Sequence, residues 1–376
     1  MRRSGLSRRQ VLAGVGITLV GGACGRAVVA RAAVAPGLTY PQLAGQRVIG
    51  SYPGLTPPAS LFTDIENGQL AGVIFFGENI SSKTQIAGVI TQLRQAQARS
   101  PVHVPLLLMT DQEGGLVRRL PGAPALSEKQ IGQSSGPVAA AAAAGTGAGR
   151  NLAGVGMNVN LAPVLDVYYK TGNFIDQYQR SYSGNPGVVS ACGQAFIAAQ
   201  QQVGVAAAAK HFPGLGSAAR NQDTDAGPVT LGLSLTGLRT IDEVPYPPAF
   251  SAGVKLVMVS WAIYPALDAK LPAGLSPAVI GQELRGRNAF AGVTITDALE
   301  AGALSAFGTT GRRAVAAAGA GMDLILCSAR DVSQGEAATA ALASALGSGQ
   351  LDPAAFNAAV DRVTALRASL RMRGSG

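Results

Sequence analysis

The stretch VAAAAKHFPGLG, residues 205–216, joins an apolar run to a polar end. Residues 205–209 are all Val or Ala, Lys210 and His211 close the run, and a Pro-Gly turn follows. Strands of a parallel barrel carry their functional side chains at this end, where each strand meets the loop that follows it. The stretch therefore predicts a core strand that presents Lys210 and His211 to a functional site.

Seven other short runs have a similar β-rich, apolar composition. They are RVIGSY (47–52), AGVIFF (71–76), VPLLLMTD (104–111), MNVNLAPVLD (157–166), KLVMVSW (255–261), GVTITD (292–297) and MDLILC (322–327). Between them lie stretches of helical composition, including 82–99, the Ala-rich run 138–149 and 185–202. This alternation predicts an α/β fold of the TIM-type (β/α)8 barrel class, although an open doubly wound sheet gives a similar pattern.

Charged side chains at the ends of these runs favour the barrel over the open sheet. The residues at the C-terminal ends are Asp111, Asp166, Lys210, His211 and Asp297. In a closed barrel these positions converge on one face, which is the face where barrel enzymes carry their chemistry. We therefore expect an active site at this face.

The part of the chain after about residue 38 is expected to form a single catalytic domain. Residues 38–372 contain no linker and no block of like charges, and a hydrophobic content of 47% supports a large core. Aromatic residues make up only 5% of the chain, whereas Ala and Gly are abundant, which predicts closely packed helices. We expect a monomer.

The net charge of +9 comes mostly from the N-terminal segment. Six arginines and no acidic residue precede residue 33, and the remaining chain has 24 Lys and Arg against 21 Asp and Glu. Residues 1–32 combine this basic start with an apolar stretch, 11–23, that is too short to span a bilayer. We interpret 1–32 as an export signal rather than as a nucleic-acid-binding region, and its SRRQVL motif (7–12) resembles a twin-arginine signal.

Two fates of the export signal fit its sequence. ARA at 30–32 suits an ordinary signal peptidase, whereas GGAC ends at Cys24 and is a poor version of a lipoprotein motif. The protein is thus expected outside the cell or in the cell envelope, with a membrane anchor only if Cys24 is lipidated. Cys192 and Cys327 are expected to be buried and unpaired.

Seven motifs together carry a family resemblance. They are AGVIFFGENI (71–80), LLLMTDQEGGLVRRLPG (106–122), GMNVNLAPVLDV (156–167), QRSYSGNP (179–186), KHFPGLG (210–216), GVTITDALEAGAL (292–304) and AGAGMDLILC (318–327). In order and spacing they resemble glycoside hydrolase family 3 over roughly residues 45–330. Within that family the chain is similar to the single-domain β-N-acetylglucosaminidases of peptidoglycan turnover.

The resemblance implies that Asp297 is the nucleophile of a retaining glycosidase, which forms a covalent glycosyl-enzyme that water then hydrolyses. A carboxylate fixed at the end of an apolar strand suits this task. Taken alone, Asp297 could equally be the N-cap of a helix that starts near Leu299.

The resemblance also implies a set of sugar-binding residues. Asp111 would accept hydrogen bonds from hydroxyls, while cationic side chains would donate to hydroxyls or to an N-acetyl group. The donors are Arg119, Arg180, Lys210 and His211. Glu113 is expected to orient the DQEGG turn.

The loop after residue 212 departs from the family. Where the resembled enzymes have an Asp-x-His dyad for acid/base catalysis, this chain has Asn221 and Asp223, and Leu215 replaces a second motif histidine. The chain has only two histidines, and His103 precedes its strand, so it is expected near the opposite end of the barrel. Trp261, where the family often has histidine, could stack on a sugar or belong to the core.

Three hypotheses follow for the altered loop. In the first, Asp223 acts as the acid/base, with its pKa raised by Asp225 and Asp297 or by burial. The alternative for the same residues is a polar turn in which they only satisfy backbone groups. In the second, the enzyme transfers the sugar to phosphate, a reaction whose second step needs no base. The two loop aspartates would, however, repel the phosphate anion. Alternatively, the site is a remnant that binds a glycan without cleaving it.

We expect an exported β-glycosidase that acts on β-linked N-acetylglucosamine in peptidoglycan fragments or similar glycans. Asp297 is the predicted nucleophile and Asp223 the provisional acid/base, with Asp225 as the next candidate. No cofactor and no metal are expected, because the predicted active-site face lacks a cluster of ligands with suitable spacing.

Overall fold

A ring of eight short parallel strands forms the centre of the protein. The computed structural model describes residues 37–370, so the predicted export signal (1–32) and Cys24 lie outside the described residues. The ten strands are β1 Val48–Gly50, β2 Gly72–Ile74, β3 Leu107–Thr110, β4 Gln112–Gly114, β5 Val117–Arg118, β6 Val159–Asn160, β7 Ala206–Phe212, β8 Leu256–Val259, β9 Val293–Thr296 and β10 Ile325–Leu326. Each of the eight apolar runs contains one barrel strand, while β4 and β5 form a separate antiparallel hairpin directly after β3.

The hydrogen-bonding order of the strands confirms the predicted barrel. The order is β10, β1, β2, β3, β6, β7, β8 and β9, and the neighbouring strands are parallel. A parallel bridge between Ile295 and Leu324 joins β9 to the segment before β10 and closes the ring. The open-sheet alternative is therefore wrong.

Helices surround the ring. They are α1 Tyr40–Gly45, α2 Ala59–Glu66, α3 Lys83–Ala98, α4 Glu128–Gly132, α5 Pro137–Ala153, α6 Phe174–Gln177, α7 Pro186–Gln202, α8 Leu235–Gly237, α9 Tyr246–Ser251, α10 Thr310–Ala320, α11 Val332–Gly347 and α12 Pro353–Ser369. Short 3₁₀ segments occur at Gly77–Asn79, Ala273–Leu275 and Gly302–Phe307, and π-helical segments at Leu238–Asp242 and Ala278–Arg287. Ser82 and Asn185 cap α3 and α7 through their side-chain oxygens, so both predicted helices begin at a capping residue.

Two apolar layers hold the barrel together. The inner layer fills the ring with side chains from the barrel strands, among them Ile49, Leu107, Met109, Val159, Leu256 and Ile295. The outer layer lies between strands and helices. Between α5 and α7 the backbones approach closely, because a Cβ added at Gly145 would lie 2.3 Å from the carbonyl oxygen of Phe196. Small residues therefore allow the close helix packing that the composition predicts.

Helix α12 closes the end of the barrel opposite the charged strand ends. Val363 and Leu366 join the inner apolar layer. Arg367 is fully buried and donates hydrogen bonds to the carbonyls of Val104 and Pro105 and to the Gln46 side chain. Burial without an acidic partner lowers the pKa of Arg367 to about 9.

Cys192 and Cys327 are buried and free, as expected. Among residues 37–370 no helix combines the length and the apolar composition that crossing a membrane requires.

Candidate active site

A cavity of about 610 Å³ opens at the C-terminal ends of the barrel strands. It is lined by eight of the nine side chains that the sequence predicts for the site, namely Asp111, Arg119, Arg180, Lys210, His211, Asp223, Asp225 and Asp297. The ninth, Trp261, does not line it. The barrel thus brings together residues that are up to 186 positions apart in sequence.

Lys210 and His211 both face the cavity although they are consecutive residues of β7. Successive side chains of a regular strand point to opposite faces. Here the pairing between β7 and β8 shifts register between Ala209 and Phe212, so the strand is irregular at this position. An irregularity of this kind redirects side chains and explains why both residues reach the site.

The ammonium of Lys210 joins two carboxylates. Nζ lies 2.7 Å from Oδ1 of Asp111 and 2.8 Å from Oε1 of Glu113. Burial alone would lower the pKa of Lys210, but Asp111 and Glu113 raise it above its ordinary value. Lys210 therefore stays charged and fixes Asp111 at the cavity wall.

Glu113 holds two cations in place from beneath the cavity. Its carboxylate also accepts two hydrogen bonds from Arg180, each 2.9 Å long. Burial would raise the pKa of Glu113, but Arg180 and Lys210 bring it to about 2, so the carboxylate is ionised. The expected structural role of Glu113 thus extends from the DQEGG turn to the orientation of Arg180 and Lys210.

Asp166 orients His211. Oδ2 of Asp166 lies 2.8 Å from Nδ1 of His211, and Oδ1 accepts the backbone N–H groups of His211 and Leu215. Because Nδ1–H donates to Asp166, Nε2 is the acceptor of the neutral ring, and it lies 3.4 Å from a guanidinium nitrogen of Arg180. The Asp166 carboxylate therefore fixes the tautomer and the orientation of the His211 ring.

Arg119 lines the cavity. Its Nε is buried and has no hydrogen-bond partner within residues 37–370.

Asp297 follows β9 and accepts the Ala298 N–H at Oδ1, at 2.8 Å. No helix begins at Leu299; the next segment is the 3₁₀ turn Gly302–Phe307, so the N-cap interpretation is wrong. Trp261 is 1% exposed and donates from its indole N–H to the Ala298 carbonyl at 2.8 Å. The tryptophan lies behind the site and holds the residue next to Asp297, and it is not placed to stack on a sugar.

The two loop aspartates have different environments. Oδ1 of Asp223 accepts the backbone N–H of Asp225 at 2.9 Å, so Asp223 forms the polar turn considered above. Asp225 also lines the cavity but stays exposed to solvent. Its pKa is raised to about 6, first because the surrounding protein removes part of the water around the carboxyl, and second because Asp297 and Asp223 are negatively charged neighbours.

Several residues of the cavity wall escape sequence analysis. The guanidinium of Arg330 lies over the Phe76 ring, 4.6 Å from its centroid, and Arg330 has a left-handed backbone with φ 59°. Tyr178 and Glu300 also line the cavity, and Glu300 accepts hydrogen bonds from Ser328. Phe76 ends an apolar run and Arg330 follows another, which is a weak signal, but nothing in the sequence marks Tyr178.

Comparison with known proteins decides the family. Residues 46–366 match the Glycosyl hydrolase family 3 N terminal domain. The chain belongs to glycosyl hydrolase family 3. Family-3 membership confirms the resemblance inferred from the seven motifs.

Two relatives illustrate the similarity of whole sequences. An uncharacterized secreted glycosyl hydrolase of Arthroderma benhamiae is 47% identical over 87% of this chain and 93% of that protein. Beta-hexosaminidase A of Pseudoalteromonas piscicida is 30% identical over 84% of this chain, which spans 56% of that protein.

Solved structures give the same result. A glycoside hydrolase family 3 beta-N-acetylglucosaminidase from Paenibacillus sp. has a TM-score of 0.83 and 34% identity, covering 90% of this chain and 65% of that one. The beta-N-acetylhexosaminidase from Beutenbergia cavernae has a TM-score of 0.78 and 31% identity, covering 88% of this chain and 98% of that one. The family-3 barrel is thus shared over almost the whole described chain.

Proposed function

We propose that this family-3 protein is an exported, retaining β-N-acetylhexosaminidase that removes β-linked N-acetylglucosamine from amino-sugar glycans. In the proposal Asp297 is the nucleophile and Asp225 the acid/base. The sugar preference is supported by relatives named beta-hexosaminidase, and export by the signal-like N-terminal segment and a relative described as secreted.

The observation that carries the proposal is that two carboxyl groups, those of Asp297 and Asp225, line one cavity and that the pKa of Asp225 is raised. A retaining glycosidase needs one ionised carboxylate to attack the anomeric carbon and one protonated carboxyl to donate to the leaving oxygen. Partial loss of water at the cavity wall and the negative charge of Asp297 raise the pKa of Asp225 to about 6. Asp225 therefore keeps a proton at mildly acidic pH, which a carboxyl with an ordinary pKa would lose.

Asp225 suits the acid role better than Asp223. One oxygen of Asp223 is already engaged with the backbone N–H of Asp225, within the turn that also closes through hydrogen bonds from Ala226 and Gly227 to the Asp223 carbonyl. A group that must pass a proton to substrate and take one from water needs a free carboxyl. We therefore replace Asp223 by Asp225 as the proposed acid/base.

The other cavity residues provide the binding contacts. Asp111, held by Lys210, offers an acceptor to sugar hydroxyls, and the guanidinium of Arg119, which lines the same cavity, is the proposed donor to them. His211 presents Nε2 beside Arg180. Fixed donors and acceptors around a pyranose select one orientation of the ring, which places the anomeric carbon near Asp297.

The reaction then has two steps. Asp297 attacks the anomeric carbon as Asp225 protonates the glycosidic oxygen, so the leaving sugar departs as an alcohol. Asp225, now ionised, takes a proton from water, which attacks the anomeric carbon and releases Asp297. Two inversions give net retention.

The test is a single-turnover assay of the purified protein with aryl β-glycosides of N-acetylglucosamine and glucose. Asp297→Ala should abolish release, whereas Glu336→Gln, at an exposed carboxylate on α11, should not. In Asp225→Ala, an activated aryl glycoside should leave a glycosyl unit on the peptide that contains Asp297, detectable by mass spectrometry. A folded wild-type protein that binds chito-oligosaccharides and returns them uncut would overturn the proposal in favour of a glycan-binding protein.

A further inference from the structure

We infer that Gly302 is a positioning residue for the general acid, because it ties the loop bearing Asp225 to the segment that follows Asp297. The inference rests on the proposed role of Asp225. We call residues 213–231 the acid loop.

Two backbone hydrogen bonds make this connection. The N–H of Gly302 donates to the carbonyl of Asp225 at 2.9 Å, and the N–H of Ala303 donates to the carbonyl of Thr224 at 2.9 Å. Both donors lie at the start of the 3₁₀ turn Gly302–Phe307, five and six residues after Asp297. The proposed acid and nucleophile are thus joined through main-chain atoms.

The ends of the acid loop are anchored elsewhere. Near its start, Leu215 donates to Asp166 and Ala218 accepts from Phe174. Near its end, Val229 and Leu231 exchange hydrogen bonds with Ile263. Among the described residues, only the hydrogen bonds from Gly302 and Ala303 link residues 221–228 to residues outside the acid loop.

Only glycine fits at position 302 with the loop in this place. A Cβ added to Gly302 would lie 2.6 Å from the carbonyl carbon and oxygen of Ala226 and 2.8 Å from the carbonyl oxygen of Asp225. These are backbone atoms, so no side-chain rotation can relieve the contact. A larger residue must push the acid loop away from the nucleophile segment.

Displacement of the acid loop should affect proton donation by Asp225 but not sugar binding. The sugar-binding residues Asp111, Arg119 and Lys210 belong to other loops and strands, so displacement of the acid loop leaves them in place. A displaced Asp225 cannot protonate a poor leaving group efficiently, whereas an activated aryl leaving group needs little protonation. A misplacement of about 1 Å can cost about 10²-fold in rate.

Gly302→Ala should therefore reduce hydrolysis of unactivated chito-oligosaccharides by about 10²-fold and that of activated aryl glycosides much less. The matched control is Gly232→Ala, just after the acid loop, where an added Cβ meets no atom within 4 Å. It should retain wild-type rates on both substrates.

A double-mutant cycle tests whether Gly302 acts through Asp225. In an Asp225→Ala background, Gly302→Ala should cause no further loss. An equal loss on both substrate classes, or an undiminished further loss in the Asp225→Ala background, would overturn the inference. If the loss of rate in Asp225→Ala does not depend on the leaving group, the assignment of Asp225 as the acid is wrong. That outcome rejects the proposed function and is distinguishable from a failure of the inference on Gly302.

Hydrogen exchange provides a test that does not depend on the acid assignment. In the wild-type protein the amides of Gly302 and Ala303 should be protected, and Gly302→Ala should raise the exchange of Ala303 and of residues 224–227. Unprotected amides at 302 and 303 in the wild type would rule out the contact in solution.

Discussion

Oδ1 of Asp223 accepts the backbone N–H of Asp225 at 2.9 Å. The carboxylate of Asp223 thus stabilises the turn that contains Asp225. This relationship reverses the order of two aspartates, since the sequence alone favours Asp223 and places Asp225 second.

The first prediction concerns these two residues. Asp225→Ala should slow the hydrolysis of substrates with poor leaving groups by about 10²–10⁴-fold, because the proton donor is lost. Activated aryl glycosides should lose far less, and added azide should restore their turnover. Asp223→Asn keeps the oxygen that accepts from Asp225 and should have a small effect. The opposite order of the two variants would assign the acid to Asp223.

The second prediction is a pH dependence. The general acid must be protonated in the free enzyme, and the pKa of Asp225 is about 6. We expect kcat/KM for unactivated substrates to fall as the pH rises through about 6. This limb should be absent from the profile of Asp225→Ala, and its persistence in that variant would point to another titrating group.

The third prediction concerns stability. Glu113→Gln removes the charge that two buried cations share, so it should lower the free energy of unfolding by about 3–5 kcal/mol. Glu66→Gln, which breaks an exposed ion pair with Arg99, should cost about 0–1 kcal/mol. Urea unfolding measures both, and similar losses for the two variants would contradict a central role for Glu113.

The fourth prediction uses Asp242, which is fully buried and accepts a hydrogen bond from Tyr169 at 2.7 Å. Burial raises its pKa from 3.8 to about 8, although the Tyr169 hydroxyl opposes this shift. The folded state therefore binds the proton more tightly than the unfolded state does. Protonation of Asp242 therefore adds to the free energy of unfolding. This contribution is fully present below about pH 4 and is lost as the pH rises through about 8.

Asp242→Asn removes this titration. Unfolding in urea should show that wild type loses stability relative to the variant between pH 5 and pH 9. Parallel stability curves over that range would contradict the assigned shift.

The barrel could be predicted because each barrel strand lies in a short apolar run and several of these runs end in a charged residue. The positions of Asp111, Lys210 and Asp297 follow from the same rule, since the strand ends of a closed barrel converge. Local composition was enough for these features, because burial of each strand imposes its pattern directly on the sequence.

Trp261 and the acid loop show where local composition fails. A tryptophan at a strand end looks the same in sequence whether its ring faces the cavity or the core, and only the neighbouring Ala298 carbonyl decides. The different tasks of Asp223 and Asp225 depend on one turn and on contacts with residues about 80 positions away. Such tertiary contacts leave no periodic signal.

Helix α12 has a consequence for the timing of synthesis. Arg367 and Gln46 hydrogen-bond across a separation of 321 residues, and Val363 and Leu366 complete the inner apolar layer. At the usual speed of translation, roughly 5–20 residues per second, Gln46 leaves the ribosome roughly 15–60 s before its partner is made. The end of the barrel that α12 covers is therefore completed only after almost all of the described residues have been synthesised.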